Sequence, residues 1–162
     1  MRRYGIVVRW VFATVFLGGG VAHLVQGRAA PEGYAVYGST ALWRPLEDLW
    51  EGFVMPHIAG LTLVLAAWEV GVGVCLLLGG RSTRVAVVAI LGFFAFLLVL
   101  GYGWPAASPV EDILKNRAFT VVMAGMLLPV LAQADPPGAF TRWGGRRRRA
   151  SPAGRSRRWA RR

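Results

Sequence analysis

The chain has 162 residues, 55% of them hydrophobic, and a mean hydropathy of +0.46, which is more apolar than a soluble domain of this size usually tolerates and suits one membrane domain. The net charge of +11 is localised: ten of the nineteen Lys and Arg residues fall between Arg142 and Arg162, leaving a nearly neutral body, and with no nucleic-acid-binding fold beside the basic run, nucleic acid is excluded as a partner. Cys75 is the one cysteine, which excludes an intramolecular disulfide and any dithiol cycle confined to this chain.

A helix needs about 20 apolar residues to cross the hydrocarbon core. Four stretches meet that length, at about 5–26, 53–79, 85–102 and 113–132. Residues 1–135 are therefore expected to form an all-α, four-transmembrane-helix bundle, followed by a tail at 136–162. In the first span Arg9 lies about a turn and a half from the start at 1.5 Å per residue, Gly18, Gly19 and Gly20 form a small-residue run, and His23 sits near the far end. A cleaved signal peptide is the alternative reading, with Ala29 and Ala30 as the small residues after an apolar run; the interrupting Arg9 and the length of the run speak against it.

The segment from Arg28 to Gly52 is net acidic through Glu32, Glu47, Asp48 and Glu51. Within it Leu42, Leu46, Leu49, Trp50 and Phe53 recur at helical spacing, and Pro45 suits a helix start. This predicts a short amphipathic helix over 43–52 in the first external loop, with Trp43 and Trp50 at head-group depth; an upward extension of the second span fits the same periodicity.

The second span carries His57 near its start and Glu69 near its middle, with Gly71 and Gly73 as packing positions. An unpaired carboxylate in hydrocarbon is costly, so Glu69 is expected to point into the bundle and to pair with Arg9. Such a pair either only fixes helix register or forms the centre of a polar, proton-linked pocket. The third span has no polar side chain from Val85 to Leu100 and is expected to face lipid over much of its surface. The fourth opens with Glu111 and Asp112, which suit the helix dipole. Lys115 and Arg117 are expected to snorkel outward. Asn116 cannot, so it either clamps two helices or joins His23 and His57 around a polar pocket. Pro129 alone interrupts this span.

Positive residues mark cytoplasmic segments. Arg2 and Arg3, then Arg81 and Arg84, then the tail all fall on one side, giving an N-in/C-in arrangement. The tail has no apolar period and is expected to be disordered. Arg146, Arg147, Arg148 and Arg149 there read as an anchor for anionic lipid, each basic residue near the surface gaining on the order of 1 kcal/mol.

The spacing of Arg9, Phe16, Gly19, Gly20 and His23, then Glu69-Val-Gly71-Val-Gly73 running to Leu78-Gly79 and Arg84, then Lys115-Asn116, resembles the DoxX-like family of small four-helix bacterial membrane proteins over about residues 4–133. The resemblance implies a multi-pass protein of the bacterial cytoplasmic (inner) membrane that serves a quinone- or thiol-linked redox system as an accessory or binding subunit. A redox protein or a second copy of the chain is the implied partner, and quinone the implied cofactor. It assigns no catalytic residue. This chain has His23 where the family commonly ends the first span in Lys, and its lone Cys75 weakens a dithiol role.

Other classes are weighed against this reading. His23 and His57 suggest a pair of axial haem ligands, but no Cys-x-x-Cys-His motif or dense ligand cluster accompanies them, so haem and metal are disfavoured. No nucleophile, base and orienter can be grouped, which disfavours an enzyme acting alone. A non-catalytic scaffold whose basic tail binds lipid or a cytoplasmic partner is the main alternative. A small transporter is the further one, though it would need broken helices or an inverted repeat.

Overall fold

The computed structural model describes residues 2–133, and the tail with Arg146, Arg147, Arg148 and Arg149 lies outside the described residues. The described elements are helical throughout. Helix α1 (Arg2–Ala29) is followed by a 3-10 helix (Pro31–Thr40), α2 (Arg44–Leu49), α3 (Ile58–Leu78), α4 (Gly80–Leu100), α5 (Pro109–Asn116) and α6 (Ala118–Leu131). Three continuous helical stretches are long and apolar enough to cross a membrane, Arg3–Ala29, Arg44–Leu78 and Gly80–Leu100; α5 and α6 make a fourth span when taken together across a 45° bend. The protein is thus a multi-span helical membrane protein by length and composition. Its outer surface agrees with a lipid environment: Val7, Val15, Val64, Val85, Val88, Val121 and Val122 all lie exposed along these helices, which hydrocarbon solvates as readily as a core does.

Helix α1 packs chiefly on α3, α3 on α4, α4 on α6, and α6 closes back on α1. Phe12 and Phe16 of α1, Leu76 of α3, Val87, Ile90 and Phe94 of α4, and Leu127 and Val130 of α6 fill the centre. Helix α4, expected to face lipid over much of its surface, buries one stripe through Val87, Ile90 and Phe94 and leaves Val85, Val88 and Phe96 exposed. It lies between two neighbours, and lack of polar side chains cannot distinguish a core face from a lipid face.

The α1 and α3 backbones approach closely because glycines face across their seam. A Cβ on Gly20 would lie 3.0 Å from the Ala66 carbonyl oxygen and 2.8 Å from Val70 Cγ2, and one on Gly73 would lie 3.3 Å from the Ala13 carbonyl oxygen and 2.8 Å from Leu17 Cγ. The expected packing role of small residues holds at these positions. Gly18 and Gly71 meet nothing within 4 Å.

Two further expectations change at the segments joining the spans. The short helix α2 does not stand apart as a surface helix. It runs through a π-helical turn at Trp50–Val54 and a 3-10 turn at Met55–His57 directly into α3. Pro56 removes one backbone donor at this passage. The extended-span alternative thus describes the segment, and Trp50 is buried rather than at a head-group surface, whereas Trp43 is exposed. The fourth span is likewise not straight. Arg117 leaves helical geometry, at φ −134° and ψ −33°, and separates α5 from α6.

The segments at 30–57 and 101–108 cover one end of the bundle, called here the loop face; the tight α3 to α4 turn at Gly79, with φ 88°, marks the opposite end. Arg117 holds the loop face together. Its guanidinium donates from Nε to the Leu98 carbonyl at 2.9 Å and from Nη2 to the Thr40 carbonyl at 2.7 Å, and pairs through Nη1 with Asp112. It is buried and does not snorkel, contrary to expectation, because three acceptors converge on its planar fork. Lys115 does reach outward, to the Pro105 carbonyl at 2.9 Å.

Candidate functional site

Glu69 is placed by α3 on the face that meets α1, opposite Gly19. A Cβ at position 19 would lie 3.0 Å from Glu69 Oε2, so the missing side chain provides the space for the carboxyl group. One turn further along α1, His23 presents Nε2 to Glu69 Oε1 at 3.7 Å. That separation exceeds a hydrogen bond, and a small shift closes it. Glu69 is only 6% exposed, and its Oε2 has no hydrogen-bond partner among the described residues. A buried polar atom left without a partner is the kind of cost a fold rarely retains without use.

The other imidazole nitrogen of His23, Nδ1, lies 2.6 Å from the Tyr34 hydroxyl. With the phenol as donor, the neutral ring carries its proton on Nε2, toward Glu69. Burial, followed by the nearby Tyr37 and Glu69 groups, pushes the Tyr34 hydroxyl above its ordinary pKa, which keeps it a donor. The 3-10 geometry explains how Tyr34 is presented. Residues three apart eclipse in such a helix, so Tyr34 and Tyr37 stack with ring centroids 6.1 Å apart. Trp50 then fixes the segment by donating its indole N–H to the Tyr34 carbonyl at 2.9 Å.

Glu69, His23 and Tyr34 form the polar edge of a cavity of about 230 Å³. Its remaining wall is largely aromatic and aliphatic. Tyr37 and Trp50 close it from the loop face, Phe93, Phe96, Leu97 and Leu100 come from α4, Leu65 from α3, and Tyr102 from the loop after α4. Phe96 is 42% exposed on the outer surface of α4, so this wall is shared with the lipid-facing side.

The five residues expected to gather in a polar interior separate into four groups. His23 and Glu69 come together. Arg9 does not join Glu69: its Nε and Nη2 donate to the Leu76 carbonyl at 3.0 and 2.7 Å. Ten residues of α1 separate Arg9 from Gly19, which puts the guanidinium about 15 Å down the helix axis from the carboxyl. The carbonyls at the end of a helix have no partner within it, and Arg9 supplies one. His57 also lies elsewhere. It donates from Nδ1 to the Phe53 carbonyl at 2.8 Å and lines a separate surface depression, so the two imidazoles do not form a bis-histidine site. No group of three or more His, Cys, Asp and Glu side chains is placed to hold a metal among the described residues.

Asn116 is buried but serves as a loop clamp. Its Oδ1 accepts from the backbone N–H of Tyr102 at 3.2 Å and of Trp104 at 2.9 Å, and its Nδ2 donates to the Trp104 carbonyl and to Asp112 Oδ1, both at 2.9 Å. It reaches the cavity only by positioning Tyr102, whose hydroxyl lies 2.7 Å from Thr120 Oγ1. Sequence reasoning missed Tyr34, Tyr37, Trp50 and Tyr102. The available signal was an aromatic pair, Tyr34 and Tyr37, at spacing three after Pro31, in a segment whose reading rests on its acidic charge and on the amphipathic helix over 43–52.

No family model, curated protein or solved structure matches this chain.

Proposed function

We propose that the protein is a membrane binding subunit for a lipid-soluble ring compound of the quinone class, acting beside a redox partner in the bacterial cytoplasmic membrane. The observation that carries this reading is the buried, unpartnered Glu69 carboxyl next to His23 at the edge of an aromatic-walled cavity. A flat ring fits walls of Phe, Tyr and Trp, which favour stacked and edge contacts. Its oxygens need hydrogen-bond partners that change with oxidation state, and His23 and Glu69 can each both donate and accept across their protonation states. A bound quinone would supply the electron chemistry; the side chains hold the ring and exchange protons with it. The DoxX-like resemblance supports the same class of partner. We place the loop face outward, with both termini and the Arg146 to Arg149 run inside, from the distribution of Lys and Arg.

A second reading, a scaffold without chemistry, has its own support. Arg9, Asn116 and Arg117 all bond to backbone groups, and Asn116 and Arg117 to Asp112 as well, contacts that specify packing. Quenching of tryptophan fluorescence by an alkylated benzoquinone in detergent micelles tests between the two. Binding that saturates and disappears in a Trp50→Leu, Phe93→Leu double variant while the fold persists supports the cavity; quenching that only follows bulk partition supports the scaffold.

A further inference from the structure

From the juxtaposition of Glu69 with His23 we infer that the cavity distinguishes the oxidised from the reduced form of its ligand through one proton, carried by the Glu69 carboxyl and supplied through His23 from the loop face. The inference rests on the ring-binding reading above and adds the means of discrimination.

The argument begins with what faces Glu69. From α1 there is His23, while Arg9 lies about 15 Å further down α1, where it donates to the Leu76 carbonyl of α3. The 3-10 segment contributes Tyr34 and Tyr37 to the wall of the same cavity, with the Tyr34 hydroxyl on His23, and the loop after α4 contributes Tyr102, whose hydroxyl lies against Thr120. The cavity wall contributed by α4 is apolar. Among these groups none is a fixed cation within hydrogen-bond distance of the carboxyl, so its charge must be balanced by a proton on itself, by a protonated His23, or by a donor on the ligand.

A carbonyl oxygen can only accept a hydrogen bond. Seated against the Glu69 carboxyl beside His23, it is repelled by an ionised carboxylate and accepts from a protonated one, so where the carboxyl is ionised beforehand binding draws one proton from solution. A hydroxyl in the same place donates to the ionised carboxylate and needs no added proton. The two ligand forms therefore bind with opposite dependence on pH: the carbonyl form weakens as pH rises, and the hydroxyl form weakens as pH falls.

His23 provides the route. Its side chain is 23% exposed against 8% for that of Glu69, and its Nε2 faces the carboxyl while Nδ1 rests on Tyr34. A proton taken up at Nδ1, with the Tyr34 hydroxyl turning from donor to acceptor, lets the Nε2 proton pass to Glu69 Oε1 once a small shift closes the 3.7 Å gap; the ring is then neutral with its remaining proton on Nδ1, and the carboxyl is loaded. Tyr34 is a positioning residue in this step, since it sets the direction in which Nε2 points.

The test is calorimetric titration of the full chain in detergent with a decyl-substituted benzoquinone and, under anaerobic conditions, its hydroquinone, repeated in buffers of different ionisation enthalpy. The inference expects uptake of about one proton with the oxidised form and none, or release, with the reduced form. Glu69→Gln should retain the oxidised ligand with pH-independent affinity and no proton uptake, because an amide always has a donor. His23→Gln should retain the uptake, followed with a pH dye after rapid mixing, but slow it at least about tenfold. Binding of both forms by the wild type without proton exchange, or unchanged uptake in Glu69→Gln, overturns the inference and leaves the ring-binding reading standing. Failure of the wild type to bind either form overturns both.

Discussion

The guanidinium of Arg9 and the carbonyl of Leu76 join α1 to the last turn of α3 through two hydrogen bonds of 3.0 and 2.7 Å. The Thr83 hydroxyl approaches the same oxygen at 3.4 Å from the start of α4. One carbonyl at a helix end therefore gathers three helices at the face opposite the loops. Arg9→Lys keeps the charge but loses the fork, and Arg9→Leu loses both. We expect a stability loss of about 1–3 kcal/mol for Leu and less for Lys, read as fraction folded in a mixed-micelle denaturant titration. An unchanged midpoint for Arg9→Leu would show that the contact contributes nothing.

The glycines of the α1 and α3 seam predict opposite signs for similar substitutions. Gly20→Ala puts a methyl group against the Ala66 carbonyl and Val70 and should destabilise by about 1–3 kcal/mol. Gly18→Ala meets nothing and should be neutral or stabilising by up to about 1 kcal/mol, because alanine is the better helix former. Thermal unfolding of the two variants side by side decides the matter.

Asn116→Ala removes the clamp on Tyr102 and Trp104. The expected cost is about 2 kcal/mol, since buried backbone groups lose their partner along with the side chain. Because Tyr102 lines the cavity, this variant should also weaken ring binding, whereas a His57→Ala variant should leave binding unchanged. Equal effects of the two on affinity would contradict the separation of His57 from the site.

The chain has four tyrosines, which makes their ionisation countable by ultraviolet absorbance. Burial raises the Tyr34 and Tyr37 hydroxyls above the ordinary tyrosine value. Since the folded state holds these protons more tightly than the unfolded chain, their contribution to stability is complete below the ordinary value. It is lost as pH rises through the raised one. The folded protein should show a late-titrating fraction that shrinks in Tyr34→Phe and vanishes on unfolding. An unchanged late fraction in Tyr34→Phe would place that residue outside it.

The apolar runs, the glycine seam and the burial of Glu69 were legible in the sequence because each follows from the cost of polar groups in hydrocarbon. The partner of Glu69 was not. Arg9 has the complementary charge, but pairing depends on axial register between helices, and His23, fourteen residues further along α1, matches the carboxyl in depth. The cavity's aromatic wall was hidden for a different reason. Tyr34, Tyr37 and Trp50 lie in a segment whose apolar periodicity is short and whose 3-10 and π-helical turns depart from the period of 3.6 on which amphipathic reading depends. The bend at Arg117 likewise depends on distant acceptors at Thr40 and Leu98, which no local pattern reveals.

Arg117 carries a consequence for how the molecule is assembled. Synthesis proceeds from the N-terminus, so Thr40 leaves the ribosome 77 residues and Leu98 19 residues before the cation that joins them, and until it arrives their carbonyls can rely only on water or transient contacts. Insertion of the final hairpin thus completes the aromatic chamber as well as the bundle. Chains halted before residue 117 should enter the bilayer yet leave the segment around Tyr34 open to protease, making closure of the chamber a late signal that biogenesis has finished.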